Sequence, residues 1–275
     1  MVELNQKEKR QFQETVWRYY ERSGRHRLPW RQTGPKGHLD PYLVVVSEVM
    51  LQQTQVDRTV PKYLEFTERF PSFADLAAAE LGDVLRAWSG LGYNRRAKFL
   101  HQTAQTVVTD YGGVLPRGPE VLVALPGIGP NTAGAIITYA YDEPAIFVET
   151  NIRTVFIHHF FADQIDVSDK RLLDLVDATL DKERPREWYW ALMDYGTELK
   201  RSVGNTSRRS QAYRHQSKFE GSLRQIRGQV ITSLAAAPRR LAALQTEIPD
   251  DRLSAVIDDL LSEGMIRRRG DNLSL

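Results

Sequence analysis

The stretch Leu125-Pro-Gly-Ile-Gly-Pro-Asn-Thr-Ala-Gly-Ala135 joins two apolar segments near the middle of the chain. Gly127 and Gly129 permit backbone angles that other residues avoid, and Pro130 suits the first turn of a following helix. The pattern predicts a helix–hairpin–helix whose backbone N–H groups meet a helix N-terminus, which is a favourable site for a phosphate oxygen. An ordinary Gly-rich turn between two helices explains the same residues, so the remainder of the chain must decide between the two.

The composition is that of a globular protein, and 275 residues are enough for one or two domains. The net charge is only +2, but the segment from Lys200 to Arg227 contains eight Lys and Arg residues and only one acid, Glu220. Such a basic segment favours contact with a phosphate backbone. Because the chain has no cysteine, disulfides, a cysteine nucleophile and cysteine-ligated zinc or iron–sulfur sites are excluded.

No signal peptide and no apolar run of about 18 residues is found, so we expect a cytoplasmic protein with no membrane partner. His158 and His159 are neighbours in sequence and cannot share a helix face. We interpret them as packing or surface residues and predict no metal site.

A strong helix start, Asp40-Pro41, precedes a nearly all-apolar helix over residues 41–53, which indicates burial. Within it stands Glu48. A carboxylate on a buried helix costs free energy when charged, so it either lies at an exposed edge, pairs with an arginine, or has a chemical role. The following Gln52-Gln53-Thr54-Gln55 suits hydrogen bonding to bases, although it could also be a polar loop.

The periodicity predicts further helices up to residue 201 and no convincing strand pattern. Glu149 or Thr150 begins one of these helices, and an acid there can simply be a helix cap. The basic start of another helix, Asn94-Arg-Arg-Ala-Lys98, is interpreted most simply as a solvated face. We therefore predict an all-α domain over residues 1–201.

Residues 202–222 are polar and basic and are interpreted as a linker or an arm along a phosphate backbone. Residues 223–275 predict three helices, the second beginning at Arg239, followed by a short hairpin. That order is typical of a small winged-helix-like domain. Such domains bind either DNA or a protein partner, and the acids near its third helix leave both roles open.

Residues 28–199 resemble the endonuclease III superfamily of helix–hairpin–helix DNA glycosylases, and most of all its MutY-type adenine DNA glycosylases. The resemblance rests on Leu28-Pro-Trp-Arg31, Ser47-Glu-Val-Met-Leu-Gln-Gln-Thr-Gln-Val56, Trp88-Ser-Gly-Leu-Gly-Tyr93, the hairpin 125–135 and Met193-Asp-Tyr-Gly196. It implies a two-lobed all-α fold that flips the target nucleotide out of the stack.

The resemblance implies that Glu48 protonates the base and then helps water attack, while Glu149 stabilises the oxocarbenium-like sugar, with Asn151 as its hydrogen-bonding partner. The residues expected to contact DNA are Arg31, Gln52, Gln53, Tyr93, Gly127, Gly129, Asn131, Thr132, Lys200, Arg201, Arg208 and Arg209. The resemblance implies no cofactor beyond a monovalent cation in the hairpin, residues 125–130.

The residue at position 131 and three departures from the family bear on the reaction. Asn131 occupies the position of the lysine that bifunctional relatives use to cleave the strand, which predicts a monofunctional enzyme. Glu149 replaces the usual aspartate and is one methylene longer. The iron–sulfur loop, whose first ligand would fall at about Lys200, is missing, and so is the MutT-like domain.

We therefore expect a monomeric, nucleoid-associated base-excision-repair enzyme that acts on double-stranded DNA with a mispaired or damaged base. The first hypothesis is removal of adenine opposite 8-oxoguanine or guanine. Alternatives are a thymine, uracil or damaged-base glycosylase on the same scaffold, and a non-catalytic protein that binds DNA lesions.

Overall fold

The computed structural model describes residues 4–34, 37–216 and 218–275, and within them it contains fourteen α-helices and three short strands. The helices are α1 (Gln6–Ser23), α2 (Pro41–Leu51), α3 (Val56–Arg69), α4 (Phe73–Ala78), α5 (Leu81–Trp88), α6 (Arg95–Tyr111), α7 (Pro119–Ala124), α8 (Pro130–Tyr141), α9 (Thr150–Phe160), α10 (Asp169–Thr179), α11 (Pro185–Ser202), α12 (Leu223–Ala236), α13 (Leu241–Glu247) and α14 (Leu253–Ser262). The strands are β1 (Arg239–Arg240), β2 (Arg267–Arg269) and β3 (Asn272–Ser274). Residues 1–3, 35 and 36 of the predicted glycosylase domain, and Ser217 of the predicted linker, lie outside the described residues.

Packing divides the chain into two compact units. Unit 1 comprises residues 1–44, 117–123 and 129–215, and unit 2 comprises residues 45–116, 124–128 and 216–275. The sequence-based boundaries at residues 201 and 222 follow composition, whereas packing joins the C-terminal 60 residues to the helices that follow α2. The all-α fold class is confirmed.

The core of unit 1 is formed by aromatic side chains of α1, α9 and α11. Phe12 lies 5.2 Å from Phe156 and 6.0 Å from Trp188, measured between ring centroids. α9 and α11 pack most closely at Gly196, where an added Cβ would lie 2.3 Å from the backbone oxygen of Asn151. The glycine of the Met193-Asp-Tyr-Gly196 motif therefore sets the spacing of the two helices that carry the predicted site residues of this unit.

Unit 2 packs α3, α4, α5 and α6 around buried Phe66 and Trp88, whose rings lie 5.9 Å apart. Residues 218–275, which we call the C-terminal module, dock on the same helices. The module is attached by the ion pairs Arg95–Glu263 (2.5 Å) and Arg267–Glu80 (3.2 Å). It is an integral part of unit 2 and has its own apolar core.

The module has the element order α12-β1-α13-α14-β2-β3, in which three helices precede a final strand pair, as the sequence predicted. The strands form an antiparallel sheet in the order β1-β3-β2, with Arg239 opposite Leu273. The predicted start of the second helix at Arg239 was wrong, because Arg239 and Arg240 pair with β3 before α13 begins. A pairing of two residues leaves no periodic pattern in the sequence.

The predicted linker is not a free arm along its whole length. Around Ser207 it forms a turn of 3₁₀ helix that packs on α9, and the Thr206 hydroxyl donates to the Thr154 carbonyl at 2.9 Å. The backbone of Val167 exchanges hydrogen bonds with Arg209 and Gln211. The segment is thus bound to unit 1.

None of the helices in the described part of the chain is long and apolar enough to cross a membrane.

Candidate active site and nucleic-acid interface

Helix α2 carries Glu48, the predicted catalytic acid. Asp40 caps the start of this helix, since its carboxylate accepts a hydrogen bond from the Tyr42 N–H at 2.8 Å. From Val44 to Met50, every side chain is buried except that of Glu48, which is partly exposed. A helix fixed by apolar packing therefore presents one carboxylate at an accessible position, as expected for a catalytic acid held by a rigid element.

Arg96 holds the C-terminal end of α2 and the loops beside it. Its guanidinium is buried and donates to carbonyl or hydroxyl oxygens of Val49 (2.9 Å), Met50 (2.9 Å), Gln52 (2.5 Å), Thr54 (3.0 Å), Leu91 (3.4 Å) and Gly92 (3.1 Å). Burial lowers the pKa of Arg96 to about 10, opposed by the neighbouring Tyr93. The interpretation of residues 94–98 as a solvated face was wrong for this arginine, which fixes the segments carrying Gln52 and Tyr93.

Gln53 and Tyr93, both predicted to contact DNA, adopt left-handed backbone conformations with φ of 57° and 50°. Non-glycine residues rarely adopt such angles, and they cluster at functional sites. Two guanidinium groups lie near the Tyr93 ring, that of Arg96 at 5.5 Å and that of Arg224 at 5.4 Å from the ring centroid. The structure thus fixes in unit 2 the two loops that the sequence predicts to meet the bases.

Glu149 begins α9 in unit 1, beside Asn151 and Lys200. The Lys200 ammonium donates to Asn151 Oδ1 at 2.6 Å, and Asn151 Nδ2 donates to the Thr197 hydroxyl at 3.2 Å. Burial raises the pKa of Glu149, while the positive charges of Arg153 and Lys200 act against that rise. Burial also lowers the pKa of Lys200. Glu149 therefore lies in a charged environment with Lys200 and Arg153, and Asn151 is hydrogen-bonded to Lys200 and Thr197.

Asn131 connects the start of α8 to the segment that leads into Glu149. Its Oδ1 accepts a hydrogen bond from the Val148 N–H at 3.3 Å, although the residue itself is exposed. A lysine at this position could not accept that bond, since an ammonium has no lone pair. Asn131 thus has a positioning role that the sequence did not indicate.

The two hairpin glycines differ. Gly127 has φ of +77°, and an added Cβ would lie 2.8 Å from the Cβ of Phe99. Gly129 has an ordinary extended conformation, with φ of −89°, so the expectation of special backbone angles at this residue was wrong. Open space surrounds its Cα. Gly129 leaves the first turn of α8, including Asn131 and partly exposed Thr132, open to a ligand.

Arg31, predicted to contact DNA, is instead buried, and both its terminal nitrogens donate to the Asp194 carboxylate at 2.8 and 3.0 Å. Arg25 binds the same carboxylate at 2.7 Å. This placement contradicts the predicted contact, because a guanidinium held in this way has no surface for a phosphate. Its role is to anchor the segment before α2 to α11.

The other basic residues predicted to meet DNA are more accessible. Arg201 is exposed and pairs with Glu198 at 3.0 Å, a surface bond of little strength. Arg208 is exposed, while exposed Arg209 donates to the Ala162 carbonyl. Lys200 lies apart from these, because it is partly buried against Asn151.

The sequence missed Asp194 and Thr197 as supporting residues. Asp194 is 1 % exposed, and its pKa is lowered: burial alone would raise it, but the hydrogen bond and charge of Arg31, with the charge of Arg25, outweigh burial. Thr197 carries the network on to Asn151. A sequence signal for Asp194 was present in the Met193-Asp-Tyr-Gly196 motif, since an acid on an otherwise apolar helix face needs a partner.

The iron–sulfur cluster of related enzymes does not fit this chain. The segment after α11 has no cysteine, and hydrogen bonds from Thr206 and Arg209 to the backbone of unit 1 fix it. Within the described residues, no group of three or more His, Asp or Glu is placed to hold a metal ion.

Unit 2 contains a cavity of about 1250 Å³ beside the two strained loops. One wall includes Gln52, Gln53, Tyr93 and Gly127. The other wall belongs to the C-terminal module and includes residues of α12 and the segment before it. Four residues that the sequence predicts to contact DNA therefore line one space.

Comparison with known proteins identifies the fold. Residues 46–177 match the HhH-GPD superfamily base excision DNA repair protein family. The adenine DNA glycosylase of Mycolicibacterium smegmatis is 33% identical over 274 residues, covering 90% of both chains. That of Rattus norvegicus is 37% identical over 195 residues, covering 68% of this chain and 38% of the rat protein.

Among solved structures, a thermostable thymine-DNA glycosylase has a TM-score of 0.59 and 25% identity, covering 69% of this chain and 86% of its own. A non-covalent endonuclease III–DNA complex has a TM-score of 0.55 at 20% identity, covering 73% and 87% of the two chains, and shares the fold. The long match to the mycobacterial enzyme, together with the motifs and fold described above, leads to one assignment: the chain is a DNA glycosylase that belongs to the HhH-GPD superfamily of base excision DNA repair proteins, on its MutY-type branch.

Proposed function

We propose that the protein removes adenine from a mispair with 8-oxoguanine or guanine, as a monofunctional glycosylase that acts as a monomer. The observation that carries this proposal is the partly exposed Glu48 on buried α2, four residues before the Gln52–Gln53 turn that Arg96 holds. Relatives named adenine DNA glycosylases match the chain over most of its length, which supports adenine as the target.

In the reaction, Glu48 donates a proton to a ring nitrogen of adenine, and the bond from C1′ to the base breaks. The base leaves neutral, and the sugar gains oxocarbenium character. The ionised Glu149 stabilises that positive charge. Water then attacks C1′ and returns its proton to the Glu48 carboxylate. Burial raises the pKa of Glu149, and the charges of Lys200 and Arg153 favour its ionised form by acting against that rise.

The first turn of α8 binds a phosphate of the DNA through the N–H groups of Asn131 and Thr132, where the helix dipole favours an anion. The hairpin carbonyls of residues 125–130 supply ligands of the kind that a monovalent cation takes. Exposed Arg201, Arg208 and Arg209 each pair with a further phosphate. Neutralising one of these arginines should reduce the slope of log affinity against log salt concentration by about 0.9.

Absence of strand cleavage is the second part of the proposal. Asn131 cannot form a Schiff base with the sugar. Asn131→Lys should create a borohydride-trappable adduct with DNA, although removal of the hydrogen bond from Val148 should slow excision. Absence of an adduct in a variant that still binds DNA would contradict the alignment of this residue.

A second candidate is excision of thymine or uracil opposite guanine. It is favoured by the likeness to a thymine-DNA glycosylase and by Glu149, whose extra methylene alters the position of the charge. A single-turnover excision assay on both kinds of mispair separates the two candidates.

A single-turnover excision assay tests the proposal. The duplexes carry adenine opposite 8-oxoguanine, guanine or cytosine, and thymine or uracil opposite guanine, with alkali revealing abasic sites. We expect excision of adenine that Glu48→Gln and Glu149→Gln abolish. Excision of pyrimidines alone would establish the second candidate, and full excision by both variants would refute the roles of the two carboxylates.

A further inference from the structure

The connection between α8 and α9, residues 142–149, belongs to neither a helix nor a strand. It ends on Glu149, the carboxylate that stabilises the sugar in the proposed reaction. A catalytic group must be held within about 0.5 Å of its working position, and an irregular connection has no regular ladder of backbone hydrogen bonds to hold it. Side chains of the neighbouring helices must therefore supply the constraint.

Glu149 depends on this connection because it is the cap residue of α9. Its carbonyl belongs to the helix, since it accepts from the Arg153 N–H at 2.8 Å. Its backbone angles are those of extended chain, with φ of −98° and ψ of 171°, so its N–H side belongs to the connection. The direction in which its side chain leaves the backbone is thus set from both sides.

Tyr189, near the start of α11, binds the connection at two backbone atoms. Its hydroxyl donates to the Ala145 carbonyl at 2.7 Å and accepts from the Phe147 N–H at 3.4 Å. Tyr189 is fully buried, and burial raises the pKa of its phenol, which therefore keeps its proton and remains a donor. One oxygen atom thus fixes the spacing of two peptide groups shortly before Glu149.

The ring of Tyr189 holds the same connection through Phe147. The two rings stack with their centroids 4.0 Å apart and their planes at 14°. On its other side Phe147 meets α8 at Gly134, where an added Cβ would lie 3.0 Å from Phe147 Cδ1. Phe147, two residues before Glu149, is therefore enclosed between α8 and α11.

The hydroxyl of Tyr189 has a purpose that packing does not explain. A phenylalanine at this position would fill the same volume and stack on Phe147 in the same way, without a polar atom to satisfy in the core. We propose that Tyr189 is a positioning residue for base excision, whose hydroxyl fixes residues 145–148 and thereby places the Glu149 carboxylate beside the sugar. The inference rests on the role of Glu149 in the proposed function.

The place of a carboxylate depends on the backbone from which it starts and on the length of its side chain. Tyr189 sets the first and the glutamate itself sets the second, so both act on one distance. Changes that act on one distance are not additive, and a misplacement of about 1 Å can cost about a hundredfold in rate. A double-mutant cycle between Tyr189 and Glu149 therefore measures the inference directly.

The test uses the full chain and the mispair that the wild type processes. The single-turnover rate of excision is measured for the wild type, Tyr189→Phe, Glu149→Asp and the double variant, together with affinity for a duplex that carries an abasic tetrahydrofuran. We expect Tyr189→Phe to lower the rate about tenfold and to change affinity less than twofold, because its hydroxyl acts on the connection. In Glu149→Asp, whose shorter side chain has already lost its placement, Tyr189→Phe should lower the rate less than threefold further.

Tyr195→Phe is the matched control, because it removes a hydroxyl of the same helix that lies 3.0 Å from His159 Nε2. Its rate should stay within twofold of the wild type. Gly134→Ala disturbs the connection from the opposite side, since the new methyl group pushes on the Phe147 ring while Tyr189 is intact. We expect it to lower the rate three- to tenfold, again with unchanged affinity.

A Tyr189→Phe rate within twofold of the wild type would overturn the inference. So would a loss of affinity equal to the loss of rate, a loss of rate that Tyr195→Phe reproduces, or a loss as large in Glu149→Asp as in the wild type. If Glu149→Gln abolishes adenine excision while one of these results is found, the inference fails and the proposed function stands. If the wild type excises only pyrimidines and the cycle is non-additive on that mispair, the inference stands and the proposed function fails. Full excision by Glu149→Gln would overturn both.

Discussion

Arg31 in unit 1 and Arg96 in unit 2 are both buried, but the protein neutralises them in different ways. Arg31 faces a carboxylate, since both its terminal nitrogens donate to Asp194 within 3.0 Å. Arg96 has carbonyl and hydroxyl oxygens as its partners, including those of Val49, Met50 and Gln52 at the end of α2. Both sequence interpretations, a DNA contact and a solvated face, assumed exposure.

The difference shows two uses of a buried cation. An ion pair such as Arg31–Asp194 connects two segments at one point and depends on the charge of the acid. Arg96 instead donates to carbonyls of a helix end and of two loops, and in doing so connects these three segments. The first use anchors the scaffold, and the second shapes the site.

The largest effect is expected for Arg96→Leu. It removes the charged donor from several oxygens, including the carbonyls of Val49 and Met50, each at a cost of about 1–3 kcal/mol, and we expect a loss of about 4 kcal/mol in the free energy of unfolding measured in urea. Arg96→Lys should not restore it, because a single ammonium cannot reach oxygens on both sides. Arg86→Gln, which removes an exposed ion pair, is the control and should cost less than about 0.5 kcal/mol. A cost for Arg96→Leu as small as that of the control would show that water replaces the arginine.

Asp194→Asn should cost about 3 kcal/mol at pH 7, because it leaves a buried Arg31 without its counter-charge. The pKa of Asp194 is lowered in the folded state, so its contribution is complete above the unfolded value of about 3.9 and is lost as the pH falls through the folded value. The difference between wild type and variant should therefore shrink below pH 4. The cost of Arg96→Leu should not shrink below pH 4, since the carbonyl and hydroxyl partners of Arg96 do not titrate. Parallel pH profiles for the two variants would remove the distinction between the two arginines.

Local patterns predicted the helices and the order of three helices and a hairpin at the C-terminus. Both the hydrophobic period of a helix and the residues of a turn can be recognised from residues that are close in sequence. They also predicted Glu48, a lone acid on an apolar helix. They missed the partners of Arg31 and Arg96, since Asp194 lies 163 residues from Arg31 and nothing local to residue 96 shows that the α2 carbonyls will face it. The cavity escaped prediction for the same reason, because its walls are far apart in sequence.

Lys200 is a third partly buried cation, and it has both kinds of partner. Its charge acts on the carboxylate of Glu149, and its ammonium donates to the amide oxygen of Asn151. Removing its charge takes away one of the two positive charges that lower the pKa of Glu149. In Lys200→Met the acid limb of the single-turnover rate should therefore move to higher pH, with a loss of roughly three- to tenfold at neutral pH. Lys200→Arg, which keeps the charge, should restore the position of the limb. A rate that falls equally at every pH would mean that Lys200 supports only the packing of Asn151.

Glu263 is the more exposed counterpart of Asp194, and the smallest effect is expected there. Its side chain is 17% exposed, and Glu263→Gln should cost about 1 kcal/mol at pH 7, because Arg95 remains in water and Arg227 loses only part of its bonding. The hydrogen bond and charge of Arg95, with those of Arg227, lower the pKa of Glu263 to about 2. The contribution should thus be complete above about pH 4.3 and fade as the pH falls towards 2. Glu80→Gln removes an ion pair in which both partners are exposed and should have no measurable effect. A cost for Glu263→Gln that equals that of Asp194→Asn would mean that the module is held as firmly as the core of unit 1, and that burial of the carboxylate does not set the strength of these pairs.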